Sequence, residues 1–477
     1  MLTHFIRTLG ALVMESNNTK NTVNDLSRRS STVKEHYTPS LSGNERWIDH
    51  FDPENKMFWQ SKGRAIAKRN LWISIYTEFI GFAVWQLWAV VAPLLNKVGY
   101  SLSADQIFWL IAIPNLIGAT LRFPYTFAVP RFGGRNWTII SALLLILPCS
   151  GIVYAVNHPG LPFPILVILA ALGGFGGGNF ASSMANISFF YPESEKGKAL
   201  GVNAAGGNIG VAVALLIIPP LVFTGTGVHL ARAGALWIPL AIIAAILAFF
   251  RMNNLKAAKA DFASYKGAFY HGHTWIISIV YIATFGSFIG FSGAFPTLMT
   301  LAFPGVSLSL AFMGPLIGSL TRPLGGSLAD RLGGARVTII SLLMMIVGGF
   351  CVVHALEVKS FILFFLGFML LFVFTGTGNG STYRMIPAIF RAGADHQDYV
   401  AMAVIKRHAA AAIGVIAALG AYGGFLIPRC FAFAKQASGS LIPALYIFML
   451  FYLLCIAIVW WCYMRPGNRF TKEGISI

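Results

Sequence analysis

The sequence predicts an all-α membrane protein with twelve transmembrane helices in two pseudo-symmetric six-helix bundles. Three observations predict it. The 477-residue chain is 56% hydrophobic and only 11% charged, against roughly 25% charged residues in a soluble chain. Its apolar residues gather into about twelve runs, each near the ~20 residues a bilayer core requires. The first six runs also echo the last six. In lipid such runs are helices, because backbone polar groups must be satisfied within the segment.

The elements follow in order. After Met1 to Met14 comes a polar stretch to about Gly43, rich in Ser, Thr and Asn, whose composition cannot bury enough apolar surface to fold. Residues 1–45 are therefore expected to be a disordered cytoplasmic extension rather than a cleaved signal. Residues 46–70 mix Trp47, Phe51, Phe58 and Trp59 with Lys62, Arg64, Lys68 and Arg69, the composition of an amphipathic interfacial lead-in. The spans are read at 71–95, 104–130, 136–156, 163–190, 198–222 and 231–252, then 273–298, 307–330, 336–356, 359–389, 402–427 and 441–464. Residues 71–252 would form the N-terminal bundle, 253–272 a cytoplasmic linker, 273–464 the C-terminal bundle and 465–477 a cytoplasmic tail.

The net charge of +18 invites a nucleic-acid reading, and its placement argues against one. Of 35 Lys and Arg, 27 fall before the first span, in the even-to-odd loops or in the tail. Only Lys97, Arg232, Lys359, Arg429 and Lys435 fall in the other loops. The positive-inside rule explains this bias and puts both termini in the cytoplasm. No basic domain remains to hold nucleic acid, so the expected partner surface is the lipid bilayer. A monomer is expected. The five cysteines show no C-x-x-C spacing and no metal pattern. His158, His271, His273, His354 and His408 have no nucleophile or ligand constellation beside them. Neither an enzyme nor a cofactor is expected.

The repeat runs the length of the chain. Gly118 to Ser141 reads G-A-T-L-R-F-P-Y-T-F-A-V-P-R-F-G-G-R-N-W-T-I-I-S, and Gly318 to Ser341 reads G-S-L-T-R-P-L-G-G-S-L-A-D-R-L-G-G-A-R-V-T-I-I-S. Gly176, Gly178, Asn179 and Phe190 match Gly376, Gly378, Asn379 and Phe390. Gly201, Gly207 and Gly210 match Gly414, Gly420 and Gly423, and F-I-G-F recurs at 79–82 and 288–291. Two six-span halves in parallel repeat are a transporter layout, with the site at the midplane between them. The glycines of G-G-F-G-G-G at 173–178 follow no strand, so they are read as close-packing faces and not as a dinucleotide loop.

Arg122 and Arg322 occupy equivalent places in that repeat. A cation that keeps its proton is costly in lipid, and both lie deep for snorkelling to the headgroups. A paired anion site is the reading favoured here. A guanidinium is a planar fork of donors, which suits a small planar oxyanion such as nitrate. The stretch G-G-x-x-x-D-R-x-G-G-x-R from Gly325 to Arg336 is a different signal. It looks like the cytoplasmic loop motif of the major facilitator superfamily, with Asp330 and Arg331 as a conformational latch.

The chain resembles the nitrate/nitrite porter family of that superfamily over about residues 45–465. The matching stretches are R-N-L-W-I-S at 69–74, L-R-F-P-Y at 121–125, N-F-A-S-S-M-A-N-I-S-F-F at 179–190, Y-I-A-T-F-G-S-F-I-G-F at 281–291 and G-N-G-S-T-Y at 378–383. The resemblance implies the major facilitator fold in a bacterial inner membrane. It implies an anion bound by Arg122 and Arg322, with rings at Phe180, Tyr281 and Phe285 and an amide donor at Asn208. It also implies exchange of external nitrate for internal nitrite.

The sequence departs from that pattern at three places. Glu78 puts an acid in span 1, where the family's antiporters lack one. Arg384 stands in span 10 at a position neutral in the family pattern. Ala204 and Ala205 replace glycines in span 5. Two readings of Glu78 follow: it pairs with Arg384 across the halves, or it carries a proton in nitrate/proton symport. An anion channel and a nitrate sensor are the remaining alternatives.

Overall fold

The computed structural model describes residues 41–42, 46–256, 258, 262–392, 399–467, 470 and 477. Besides a short linker helix at Phe262–Tyr270, its helices are α1 (Lys56–Val98), α2 (Ala104–Phe132), α3 (Gly134–Asn157), α4 (Phe163–Phe190), α5 (Glu193–Val222) and α6 (Arg232–Arg251). After the linker come α7 (Gly272–Ala302), α8 (Met313–Leu332), α9 (Gly334–Glu357), α10 (Phe361–Arg391), α11 (Arg407–Ser438) and α12 (Ile442–Met464). Among the described residues, all but α8 are long and apolar enough by composition to cross a membrane. α8 carries Arg322, Asp330 and Arg331 among small residues, and it lies packed along α9 and α10.

The first helix starts well before residue 71. Asn55 caps it by accepting the N–H groups of Met57 and Phe58, each at 3.1 Å. A π-helical turn at Trp59–Gly63 then joins the lead-in to the span without a break. The lead-in aromatics pack on protein rather than lying among headgroups. Phe51 meets Phe58 and Phe190 edge-on at 5.2 and 5.4 Å, and Trp59 meets Tyr191 at 5.6 Å. The Trp59 indole N–H donates to Glu195 at 3.1 Å. Packing against the corner between α4 and α5 buries Phe51, Phe58 and Trp59 and takes their apolar area out of water.

A small sheet ties this segment to the linker. Trp47–Ile48 pairs antiparallel with Leu41–Ser42 and parallel with Asn254–Leu255. The Asn254 carbonyl Oδ1 accepts the N–H of Arg135 at 2.9 Å and of Asn136 at 3.3 Å, capping α3. Asn253 accepts from the Arg69 guanidinium at 2.7 Å. Leu41 and Ser42 are the only described residues of the 1–45 extension, so the expectation of disorder there lies outside the described residues.

The repeat is visible as backbone geometry. Gly133 and Gly333, 200 residues apart, end α2 and α8 at φ 85 and φ 92. Each gives its N–H to the carbonyl four residues back, at 2.9 and 3.0 Å. An L side chain is strained in that region, which is why both are glycine. Close helix approach fixes others: a Cβ on Gly176 would lie 2.0 Å from the Gly81 carbonyl oxygen, and one on Gly210 would lie 2.1 Å from that of Phe79. These contacts press α4 and α5 against α1.

α11 runs further than the sequence indicates. It extends to Ser438, where Gly439 ends it in the left-handed conformation, so Arg429 and Lys435 lie in a helix instead of a loop. That extension brings α11 along α2 of the other half. Arg429 Nη1 donates to Asp105 Oδ1 at 2.8 Å, and its guanidinium sits 4.1 Å above the Trp109 ring. Trp109 in turn lies 5.9 Å from Phe425, and the Thr120 and Tyr422 hydroxyls are 2.9 Å apart. The halves therefore meet at the end of the bundle that the charge distribution assigns to the outside.

Candidate anion-binding site

Arg122 sits on α2 ten residues before Phe132, about 15 Å of helix rise. Arg322 sits on α8 ten residues before Leu332, at the same depth. Their side chains are 1% and 8% exposed, so neither snorkels to the surface. Each comes from a different half, and they lie within electrostatic range of one another. Among the described residues, neither forms an ion pair with an acid.

The guanidinium of Arg122 is held on several sides. Nε donates to the Gly177 carbonyl at 3.2 Å, and Nη1 crosses the interface to the Ala417 carbonyl on α11 at 2.7 Å. The rings of Phe180, Phe285 and Trp85 lie 4.6, 5.3 and 5.5 Å from Cζ. Aromatic faces favour a cation electrostatically while excluding water. Nη2 is buried and has no partner. In the other half, Arg322 lies 5.6 Å from the Tyr383 ring, and its Nη1 is likewise buried and unpartnered.

The remaining expected ligands divide. Tyr281 stacks on Phe285 at 5.2 Å and 22°, and its hydroxyl donates to Asn379 Oδ1 at 2.8 Å. Asn208 is 1% exposed, with both amide atoms unpartnered. Buried polar groups are ordinarily satisfied, and among the described residues the Asn208 amide finds no partner. Sequence reasoning missed Trp85, Asn379, Tyr383 and the Ala417 carbonyl. Asn379 was legible as the repeat partner of Asn179, and Tyr383 as the last residue of G-N-G-S-T-Y. The carbonyl carries no side-chain signal.

The expected Glu78–Arg384 pair is not formed. Glu78 is fully buried between α1, α4 and α5, where Ser183 donates its hydroxyl to Oε2 and Asn203 donates its amide there at 2.8 Å. Arg384 is half-exposed and bonds Asp330 instead. The rotation of each helix, which decides their partners, leaves no mark in residue spacing. Asp330 thus holds α8 to α10 within one half, and so exposed a pair contributes little stability.

Two repeated six-helix halves, each with a buried arginine at the equivalent place, have the layout of a membrane transporter. The Major Facilitator Superfamily model matches residues 73–428. The chain is 43% identical over 459 residues to the nitrate/nitrite transporter NarU of Salmonella typhimurium, covering 90% of this chain and 98% of that one. It is 35% identical to the probable nitrate/nitrite antiporter NarK2 of Thermus thermophilus, covering 88% and 97%. The inward-open xylose transporter XylE from E. coli shares the fold, with a TM-score of 0.64 at 16% identity over 86% of this chain and all of that one. The chain belongs to the nitrate/nitrite porter family of the Major Facilitator Superfamily. It is a multi-pass membrane transporter and not an enzyme.

Proposed function

We propose that the protein exchanges external nitrate for internal nitrite by alternating access, with the anion held between Arg122 and Arg322. One observation carries this reading. Two buried guanidiniums, one from each half, lie within electrostatic range of one another, form no ion pair among the described residues, and each keeps an unpartnered nitrogen. A buried charge left unpaired is costly, and a small monoanion between the two would offset it.

The mechanism follows from that electrostatics. With the site empty, two fixed positive charges oppose closure of the halves. A bound anion bridges them and favours the occluded state over the open ones. Only a loaded carrier then crosses, which makes transport an exchange. Phe180, Phe285 and Tyr281 would cover the faces of the planar ion, and Asn208 would donate to its edge. The charge distribution supports both termini in the cytoplasm, and the reading takes the protein as a monomer in a bacterial inner membrane. Nitrate binding to the purified protein, with Arg122→Ala and Arg322→Ala as controls, tests the site. Unchanged binding in both variants would sink it.

A second reading rests on Glu78. Its Oε2 accepts from Ser183 and Asn203, while Oε1 is buried with no partner. A buried carboxylate of this kind is a place to hold a proton, and its charge acts on both arginines. Protonation there would raise the positive charge around the site and so favour anion binding, coupling nitrate to a proton. Glu78→Gln with unaltered pH dependence of uptake would exclude this reading.

A further inference from the structure

The anion site holds two tyrosine hydroxyls in different situations. Tyr281 spends its single hydroxyl proton on Asn379 Oδ1 at 2.8 Å. It is thereby a positioning residue: the bond fixes its ring, which stacks on Phe285 beneath the Arg122 guanidinium. Tyr383 lies four residues after Asn379, on the same face of α10, with its ring 6.4 Å from that of Tyr281. Its ring is 5.6 Å from the Arg322 guanidinium, yet its hydroxyl is buried and bonds nothing. A buried hydroxyl without a partner is costly. Lying beside a cation whose own Nη1 is also unpartnered, it marks where a ligand oxygen belongs.

We propose that Tyr383 is a further anion ligand, whose hydroxyl donates to the third oxygen of nitrate and so makes the site prefer nitrate over nitrite. This rests on the arginine-pair site proposed above. Nitrate and nitrite share the two oxygens that a pair of guanidiniums can hold. They differ at the third vertex. Nitrate carries an oxygen one bond length beyond nitrogen, where nitrite has only a lone pair on nitrogen. A neutral donor at that vertex separates the ions without altering the charge of the site. A site built to hydrogen-bond one group discriminates strongly against an analogue lacking it.

The test is competitive binding of nitrate and nitrite to the purified full-length protein. Tyr383→Phe keeps the ring and its contact with Arg322 but removes the donor. The expected result is nitrate affinity about tenfold weaker, with nitrite affinity within roughly twofold. Incorporation of a fluorotyrosine at 383, a stronger donor of the same shape, should tighten nitrate selectively. Tyr281→Phe should weaken both ions alike, because it frees the shared ring. Equal effects on both ions in the position 383 variants, or none, would overturn the proposal. Arg122→Lys distinguishes failure of the arginine site from failure of Tyr383 alone. If that variant binds both ions as the parent does, the arginine site itself fails. If it loses both while Tyr383→Phe leaves the preference intact, only the role of Tyr383 fails.

Discussion

The contact between Arg429 and Asp105 makes a quantitative prediction about alternating access. It joins α11 of one half to α2 of the other, and under the alternating access proposed above the two must separate for this face, outer by the charge distribution, to open. The side chains are 22% and 32% exposed, so the pair is neither a solvated surface bridge nor a dry one. A bond of this kind is worth about 1 kcal/mol after discounting for solvent. The guanidinium over Trp109 at 4.1 Å adds about 1 kcal/mol. Asp105→Asn removes the charge but leaves the ring contact. It should shift the population toward the outward-open form about fivefold. Arg429→Gln removes both and should shift it roughly thirtyfold. Spin labels at positions 97 and 435, in a protein whose five native cysteines are replaced, report the separation by electron–electron resonance. The charge swap Asp105→Arg with Arg429→Asp should recover most of the closed population. If the single variants leave the distance distribution unchanged, or narrow the outer face, the pair is not an outer clasp.

Other predictions follow from single observations. Arg122→Lys keeps the charge but cannot reach Gly177, Ala417 and an anion through one planar fork. Nitrate binding by calorimetry should weaken at least tenfold, at about 1.5–3 kcal/mol per charged hydrogen bond. Gly176→Ala forces a Cβ to 2.0 Å from the Gly81 carbonyl, so thermal stability should fall by roughly 1–3 kcal/mol. Gly201→Ala meets open space and should cost about 1 kcal/mol less than that or stabilise the helix. His271 lies just before α7, where burial, and then the neighbouring His408, hold its pKa below 6.5. The unfolded chain therefore binds that proton more readily. The stability His271 contributes is present above pH ~6.5 and is lost as pH falls below it. His271→Gln should make the melting temperature drop less between neutral and mildly acidic pH. An identical drop would show that another group titrates there.

Much of this was legible in the sequence, for physical reasons. Helices were readable because a bilayer permits little else, and the pairing of halves because Gly133 and Gly333 each need a conformation that side chains resist. The arginines stood out because charge in lipid demands a cause. What escaped was whatever depends on helix rotation. Glu78 and Arg384 face different neighbours, and no spacing rule distinguishes Ser183 and Asn203 as partners of Glu78. The lead-in aromatics read as an interfacial face, because the α4–α5 corner that receives them is not visible in the sequence. The Ala417 carbonyl, which binds Arg122 from the opposite half, belongs to the backbone and leaves no mark in the sequence.

The central claim is that an anion between Arg122 and Arg322 permits the halves to cross only when the site is filled. Nitrate uptake into proteoliposomes tests it most directly. One set would be loaded with nitrite at equal pH on both sides, and the other would be empty with an inward proton gradient. Uptake is expected into the nitrite-loaded vesicles alone, abolished by Arg122→Ala. Uptake into the empty vesicles driven by the gradient would contradict obligate exchange and make Glu78 the coupling residue.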